Sequence, residues 1–281
     1  MKEKGIIITK ESGEREAFSE AKLRRSLERA QATPDLIDIV VEEVKGGLYD
    51  GMSTSDIYTR AFSLIRKKHR PTAARYHLKR ALMELGPTGH PFEKFIGELL
   101  KAQGLQVEVG KTVEGVCVFH EIDVSALQDD RHIMIECKFH NQPGVKSDVK
   151  VALYIQARFE DVAKKWKQEP SHGQKFHEAW LVTNTKLTSD AARYASCVGM
   201  KAIGWGYPME GSLEYLIEQY NLHPLTCLTS LNQNQKQLLL NRGIILCRDI
   251  IKDKNMLGLV GLNGAKVEQV INEAKELCHI I

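Results

Sequence analysis

The sequence predicts a multidomain α/β protein with a mixed β-sheet in its middle and mostly helical segments on either side. At 281 residues the chain is longer than one typical domain. Apolar runs rich in Val, Ile and Phe alternate with helical patterns between residues 89 and 208. Helical patterns dominate residues 1–88, which open with a predicted β-hairpin, and residues 209–281. We therefore expect three domains with these boundaries.

The first domain begins with two short strands and continues as helices. GIIITK and EREAF flank a Ser12-Gly13 turn, which predicts the hairpin. Ser19 is a preferred N-cap residue and precedes the first helical pattern. Further helices are predicted in DLIDIVVEEVKGGLYD, TSDIYTRAFSLIRKK and ARYHLKRALMEL.

In the middle domain, the sequence predicts the elements in the order helix, three strands, helix, strand, helix, strand. PFEKFIGELLKAQG has apolar residues at helical spacing and Gly104 as a stop. VFHEIDVSAL and RHIMIECKF predict a hairpin whose turn contains Asp129-Asp130. The remaining elements are predicted in VKVALYIQARFEDVAKKW, HEAWLVTN, SDAARYASCVGM and KAIGWG.

Acidic and basic side chains come together at the end of this predicted hairpin. Asp123 lies on one strand, and Glu136-Cys137-Lys138 closes the next. Because side chains alternate along a strand, Glu136 and Lys138 share a face. Two carboxylates can hold Mg2+, and Lys138 could orient or deprotonate an attacking water or stabilise charge on phosphorus. A cross-strand ion pair without further function is the alternative.

These residues and the order of elements resemble the PD-(D/E)XK nucleases, and within them the Mrr-like restriction endonucleases. The resemblance implies that Asp123 and Glu136 bind Mg2+ or Mn2+ and that Lys138 is the catalytic lysine. It also implies catalytic-site roles for Glu93, in PFEKFIGELL, and for Gln156, in YIQARFEDV. No proline precedes Asp123, which departs from the family pattern.

The resemblance covers residues 89–206 and implies a DNA endonuclease that hydrolyses phosphodiester bonds. His140 follows Lys138 on the same predicted face, where it either points into the site or is a solvated strand-end residue. Gly110-Lys111-Thr112 matches the tail of a Walker A loop. Leu105 occupies the position of the required first glycine and the segment does not open a helix, so we expect a hairpin turn there instead.

The first domain resembles the ATP cone, the nucleotide-sensing module of ribonucleotide reductases and of their transcriptional repressor. ITKESG, FSEAKL and RYHLKRAL carry the resemblance over residues 3–85. It implies ATP or dATP as an allosteric ligand whose triphosphate is held by Lys10, Lys22 and Arg25. Glu11 stands where the family usually has a second basic residue, so a cone that serves only in packing or dimerisation is the alternative.

Positive charge is concentrated in the first domain. The chain has a formal net charge of +3, and the stretch from Ile57 to Met83 contains no acidic residue. Such a stretch could bind the phosphates of nucleic acid or nucleotide, or form a solvated helix face. Its basic residues are Arg60, Arg66, Lys67, Lys68, Arg70, Arg75, Lys79 and Arg80.

In the last domain, the sequence predicts two short helices around Arg242-Gly243. A glycine turn, Gly261-Leu262-Asn263-Gly264, then precedes a final helix. The turn resembles those of helix-hairpin-helix repeats, which present backbone N–H groups to a DNA phosphate. Asn263 replaces the usual second glycine, and Asn also adopts left-handed conformations. Because the segment is net acidic, docking to another protein is an equal alternative to DNA contact.

The sequence also favours some protein classes over others. No apolar run approaches the roughly 18 residues of a membrane span, and no charged-then-apolar leader precedes Ile6. The six cysteines are scattered, without a C-x-x-C pair or a histidine at zinc spacing. We therefore expect a soluble cytoplasmic protein with reduced thiols.

Together these features predict a metal-dependent DNA endonuclease, regulated by ATP or dATP, that acts in restriction, defence or DNA repair. Cutting both strands usually requires two active sites, so we expect a homodimer. Two alternatives are a nucleotide-gated DNA-binding regulator with an inactive nuclease fold, and a scaffold whose end domains dock partners. Metal-dependent cleavage distinguishes the first prediction from both.

Overall fold

The computed structural model describes residues 5–170 and 176–280, which divide into two compact units. The first unit comprises the described parts of Met1–Ala81 and His223–Ile281. The second unit is the intervening segment Leu82–Leu222. The two ends of the chain therefore pack together in one unit.

The N-terminal part of the first unit has the predicted hairpin followed by helices. Strands β1 and β2 pair antiparallel, with Ile8 opposite Glu16. Ser19 caps the first helix, its hydroxyl accepting from the backbone N of Lys22 at 3.3 Å. Leu27, Val40 and Ile65 are fully buried in the core between the helices. The elements are β1 (Ile7–Thr9), β2 (Arg15–Ala17), α1 (Glu20–Arg29), α2 (Pro34–Lys45), α3 (Thr54–Lys68) and α4 (Arg70–Met83).

The second unit is an α/β domain built on a mixed sheet, as predicted. The sheet order is β3-β4-β5-β7-β9, in which β3, β4 and β5 pair antiparallel and β5, β7 and β9 pair parallel. A short parallel pair, β6 with β8, was not predicted from the sequence. The elements are α5 (His90–Ala102), β3 (Gln106–Glu114), β4 (Phe119–Gln128), β5 (Arg131–Lys138), β6 (Lys146–Ser147), α6 (Val149–Trp166), β7 (Phe176–Thr183), β8 (Lys186–Leu187), α7 (Ser189–Cys197), β9 (Lys201–Ile203) and α8 (Leu213–Gln219).

Helices α5 and α6 pack against the antiparallel part of the sheet. Gly97 in α5 lies so close to β3 that an added Cβ would be 2.9 Å from Cγ2 of Val109. Ile122 in β4 and Met134 in β5 are fully buried in a cluster with Trp166 of α6. These contacts fix the positions of β4 and β5, which carry the predicted catalytic residues.

The segment Gly110–Thr112 lies within strand β3, so the predicted hairpin turn at this position is wrong. Val109 pairs with Val124 and Lys111 with Ile122, which puts Gly110 opposite Asp123. Gly110 has a φ of 71°, a left-handed value that a residue with a side chain rarely adopts. The glycine therefore permits a local irregularity of β3 beside Asp123.

The C-terminal part of the first unit contains short helices linked by tight turns. Gly261 and Gly264 have φ values of 76° and 50°. Asn263 is extended, with φ −147°, so it does not use the left-handed conformation that asparagine tolerates, and Gly264 adopts it instead. The elements are α9 (Gln233–Asn241), α10 (Cys247–Lys252) and α11 (Gly264–Leu277), with 3-10 turns at Leu225–Cys227 and Lys254–Val260.

Arginines of the basic stretch join the two parts of the first unit. Nη2 of Arg66 donates to the carbonyl of Thr229 at 2.8 Å, and Arg70 lies 3.5 Å from the Thr229 hydroxyl. Nη2 of Arg75 donates to the carbonyl of Leu277 at 3.0 Å and contacts Nε2 of His279 at 3.0 Å. Three of the cations that we expected to bind phosphate or face solvent therefore hold the C-terminal segment.

A buried carboxylate orders the same segment from the other side. Glu273 of α11 accepts from the backbone N and the hydroxyl of Thr229, both at 2.7 Å, and from the backbone N of Ser230 at 2.9 Å. The Thr226 hydroxyl donates to the carbonyl of Ala81 at 2.7 Å. The Glu273 carboxylate and the Thr226 hydroxyl, both buried, therefore have hydrogen-bond partners, as stable packing requires.

Among the described residues, no helix combines the length and the apolar character needed to cross a membrane.

We expect Arg75→Met to lower the free energy of unfolding by about 1.5–3 kcal/mol, because a buried charged donor to two helix-end carbonyls is lost. Urea unfolding followed by circular dichroism would detect the change. All three tryptophans lie in the second unit. The urea midpoint that their fluorescence reports should therefore change less than the midpoint measured by circular dichroism. Lys68→Met, an exposed change in the same stretch, is the control. An equal free energy of unfolding for Arg75→Met and Lys68→Met would contradict the role given to Arg75.

Candidate active site

The carboxylates of Asp123 and Glu136 meet where β4 and β5 stop pairing. Val124 pairs with Ile135, and the next two residues are Asp123 and Glu136. The backbone N of Cys137 donates to Oδ2 of Asp123 at 2.7 Å. At this point a side chain therefore replaces the backbone as the hydrogen-bond partner between β4 and β5. The hydrogen bond from Cys137 fixes the position of the Asp123 carboxylate.

Burial dominates the electrostatics of this pair. It raises the pKa of Asp123 to about 6, with the charge of Glu93 adding to the effect and the bond from Cys137 opposing it. It also raises the pKa of Glu136 to about 7, where the second cause is the charge of Asp123. A partly desolvated pair of like charges is costly, so the site favours either protons or a cation.

Glu93 and Lys138 lie near the pair, as the sequence predicted. Glu93, in the first turn of α5, interacts with His90 at 3.3 Å and raises the pKa of Asp123. Lys138 is the last residue of β5 and is exposed, and its charge lowers the pKa of Glu136. The structure thus brings three carboxylates and one ammonium group together.

Gln156 has a less direct place in this arrangement. Its Nε2 donates to Oε1 of Glu160 at 3.1 Å, one turn along α6. Its Oε1 is buried and has no hydrogen-bond partner among the described residues. Within the same residues, no hydrogen bond joins Gln156 to Asp123 or Glu136.

His140 is held by residues outside the carboxylate group. Its backbone N donates to Oδ1 of Asn184 at 2.9 Å, and Asn184 donates back to its carbonyl at 2.7 Å. The ring Nε2 lies 3.1 Å from the Ser147 hydroxyl. Burial lowers the pKa of His140, and the charge of Lys138 adds to this effect. The ring is therefore tied to β6 rather than solvated.

Arg158 of α6 is a site residue that sequence reasoning missed. Its Nη1 donates to Oε2 of Glu136, and its Nη2 donates to the carbonyl of Glu121. The side chain is 11% exposed. One signal was available, because Ile155, Arg158 and Val162 follow the spacing of the buried helix face.

The donor set fits a hard divalent cation. Within residues 5–170 and 176–280, no group of three or more His, Cys, Asp or Glu side chains could hold a metal ion. A cation at Asp123 and Glu136 would therefore complete its shell with backbone, water or phosphate oxygens, as Mg2+ commonly does. The raised pKa values of both carboxylates support this fit, because a cation would offset their repulsion.

Two of the three residues predicted to bind triphosphate converge on one acid, Glu16. Oε2 of Glu16 lies 2.9 Å from Nζ of Lys10 and 3.0 Å from Nζ of Lys22. Glu16 is the largest cause of the raised pKa of Lys10, and both lysines lower the pKa of Glu16. Glu16 was not predicted as a site residue.

Lys22 and Glu16 line a cavity of about 170 Å3 together with Tyr58 and Tyr76. The two tyrosine rings stack with centroids 5.2 Å apart. Arg25 is exposed, and its Nε donates to the carbonyl of Ala21 at 3.3 Å, so it does not line the cavity. Glu11 forms an ion pair with Arg80 at 3.5 Å.

Comparison with protein families divides the chain into three matched segments. Residues 6–83 match the ATP cone domain, residues 86–203 match the restriction endonuclease family of Mrr type, and residues 223–278 match the family described as AF1548-like, C-terminal. The resemblances to the ATP cone and to Mrr-like nucleases are confirmed.

A protein of Archaeoglobus fulgidus, named as uncharacterized, is 39% identical to this chain over 183 residues, which are 65% of this chain and 99% of that protein. The chain belongs to the AF1548-like family. A solved structure titled "Crystal Structure of Protein of Unknown Function AF1548" is 37% identical, with a TM-score of 0.55 over 68% of this chain and 99% of that one. The chain and this solved structure therefore share a fold over the matched segment.

We expect the metal-free protein to lose stability as the pH rises from about 4 to above 7. The folded state holds protons on Asp123 and Glu136, with pKa values of about 6 and 7, after the unfolded carboxyls have ionised near pH 4. Glu136→Gln should flatten this dependence in urea unfolding followed by tryptophan fluorescence. The exposed Glu210→Gln should not. A Glu136→Gln protein with the wild-type slope would contradict the burial of this pair.

Proposed function

We propose that this AF1548-like protein is a metal-dependent DNA endonuclease that hydrolyses phosphodiester bonds and is regulated by ATP or dATP. The observation that carries the proposal is the partly buried pair Asp123 and Glu136, whose pKa values are raised to about 6 and 7 beside Lys138. The pair lies in the segment that matches the restriction endonuclease family. A decayed site would be expected to have lost at least one of the three residues.

Each residue has a role that its position supports. Mg2+ or Mn2+ held by Asp123 and Glu136 would supply charge stabilisation and water activation. Asp123 is oriented for this by the bond from the backbone N of Cys137 at 2.7 Å. Lys138 is exposed at the strand end, where it can donate to a phosphate oxygen or take a proton from water. The buried Oε1 of Gln156 is an acceptor without a protein partner among the described residues, and Glu93 adds negative charge near the metal position.

DNA is the proposed substrate because the matched family consists of restriction endonucleases. Restriction, defence and DNA repair are the processes in which such an enzyme would act. Cleavage of both strands requires two active sites, which supports a homodimer as the working form. Plasmids that differ in methylation, incubated with and without Mg2+ and ATP, would define the substrate.

Nucleotide regulation rests on the ATP cone and on the arrangement around Glu16. Lys10 and Lys22 place two ammonium groups within 3.0 Å of one carboxylate oxygen. A triphosphate carries more charge than Glu16 and could replace it as their partner. The stacked Tyr58 and Tyr76 on the cavity wall offer an apolar surface for the base or ribose. Arg25, exposed on α1, would add a third cation at the edge.

We expect Glu136→Ala and Lys138→Ala to reduce Mg2+-dependent cleavage of plasmid DNA at least about a hundredfold, the usual loss for a preorganised electrostatic group. Gel analysis with Mg2+ and with EDTA measures this. Lys150→Met, an exposed change in α6, should cut at the wild-type rate. Wild-type cleavage by Lys138→Ala would show that the nuclease assignment is wrong. Metal-dependent DNA binding without any cleavage by the wild type would favour the regulator.

We expect Lys10→Ala and Lys22→Ala each to weaken ATP or dATP binding roughly tenfold, the cost of one charge-assisted hydrogen bond. Glu16→Gln should strengthen binding, because it removes a competing carboxylate. Calorimetric titration should use the full chain, since both chain ends form one unit. Lys67→Ala, exposed in α3, is the matched control. Absence of binding at millimolar nucleotide would mean that the cone serves in packing.

A further inference from the structure

Arg158 connects helix α6 to both strands of the candidate site. One guanidinium nitrogen donates to Oε2 of Glu136 in β5, and the other donates to the backbone carbonyl of Glu121 in β4. The guanidinium carbon also lies 5.2 Å from the centroid of the Tyr154 ring. Arg158 and Glu136 are 11% and 18% exposed, so the pair is shielded from solvent and from salt.

This ion pair and a metal compete for the same oxygen. Glu136 is a proposed metal ligand, and its Oε2 already accepts from Arg158. A divalent cation at Glu136 would bring two positive charges next to a guanidinium that remains charged at any pH of interest. Like charges in a partly buried site repel strongly, so the guanidinium has to leave Glu136 or weaken metal binding.

We propose that Arg158 is a counter-ion of Glu136 that metal binding displaces, and that its released guanidinium then binds a phosphate of the DNA. This inference rests on the proposed nuclease function. A planar guanidinium matches the oxygens of a phosphate with two parallel hydrogen bonds. Contact with the Tyr154 ring keeps the side chain beside the site after Glu136 is released.

The exchange makes metal and DNA help each other to bind. Without DNA, the displaced Arg158 has no anionic partner and therefore opposes the metal. With DNA, a phosphate compensates the guanidinium, so the metal should bind more tightly. Such coupling is reciprocal, and DNA should bind more tightly when the metal is present. The site would then be completed only on its substrate.

Mn2+ binding measured by calorimetry without DNA tests the first half of the proposal. Arg158→Met should bind Mn2+ roughly tenfold more tightly than the wild type, because the variant has no ion pair with Glu136 that the metal must break. Lys150→Met removes one positive charge from the same helix at an exposed position and should change the affinity little. In a Glu136→Gln background, Arg158→Met should have a clearly smaller effect, since no ion pair remains to be broken and the double-mutant cycle isolates that part.

DNA cleavage at saturating Mn2+ tests the second half. Arg158→Met should raise the KM for DNA roughly tenfold. Arg158→Lys keeps the charge but loses the fork, so it should retain wild-type Mn2+ affinity and still raise the KM. Circular dichroism would confirm that both variants are folded, and if Arg158→Met were not, Arg158→Lys would supply the comparison.

The outcomes separate this inference from the function on which it rests. Failure of the wild type to bind Mn2+ even in the presence of DNA would overturn both. A wild type that cleaves DNA with Mn2+, beside a folded Arg158→Met protein with unchanged or weaker Mn2+ affinity, would overturn only the counter-ion role. An effect of Arg158→Met that is undiminished in the Glu136→Gln background would also overturn it, and an unchanged KM in both variants would overturn phosphate binding.

Discussion

The repulsion between two partly buried carboxylates, Asp123 and Glu136, is the constraint around which the second unit is arranged. The backbone N of Cys137 compensates the first, and the guanidinium of Arg158 compensates the second. Lys138 adds a solvent-exposed positive charge at the strand end. Even with these partners, both pKa values stay raised, to about 6 and about 7. Packing of α5 and α6 against the sheet is therefore what keeps the charges together, since electrostatics alone would separate them.

The first unit contains many basic side chains, and their partners differ. Arg66 and Arg75 donate to backbone carbonyls of the C-terminal segment, and the Arg75 partner Leu277 ends α11, where the carbonyl has no partner within the helix. Lys10 and Lys22 instead share Glu16, an exposed arrangement that costs little to break. Basic residues that look alike in the sequence thus divide into those that hold the fold and those that a ligand can recruit.

Local patterns predicted most of the fold, because the strands and helices of this chain are marked by period and by caps. The hairpin of β4 and β5 and the Ser19 cap followed from such signals, and the mixed sheet followed from the resemblance to Mrr-like nucleases. The place of Gly110 within a strand was not predicted. In the sequence, a glycine inside a strand looks the same as a glycine in a turn until the partner strand is known. Arg158 was missed for a related reason. Its partners, Glu121 and Glu136, are brought to it by tertiary packing that no sequence window contains.

The packing of both chain ends into one unit has a consequence for the order in which the protein is made. Residues 82–222 are all synthesised before residues 223–281, without which the first unit is incomplete. Arg75 reaches Leu277 and His279 across more than 200 residues of chain. Contacts of such long sequence separation form slowly. The nuclease-type unit is therefore assembled first during synthesis, and the nucleotide-type unit that we propose to regulate it is completed last.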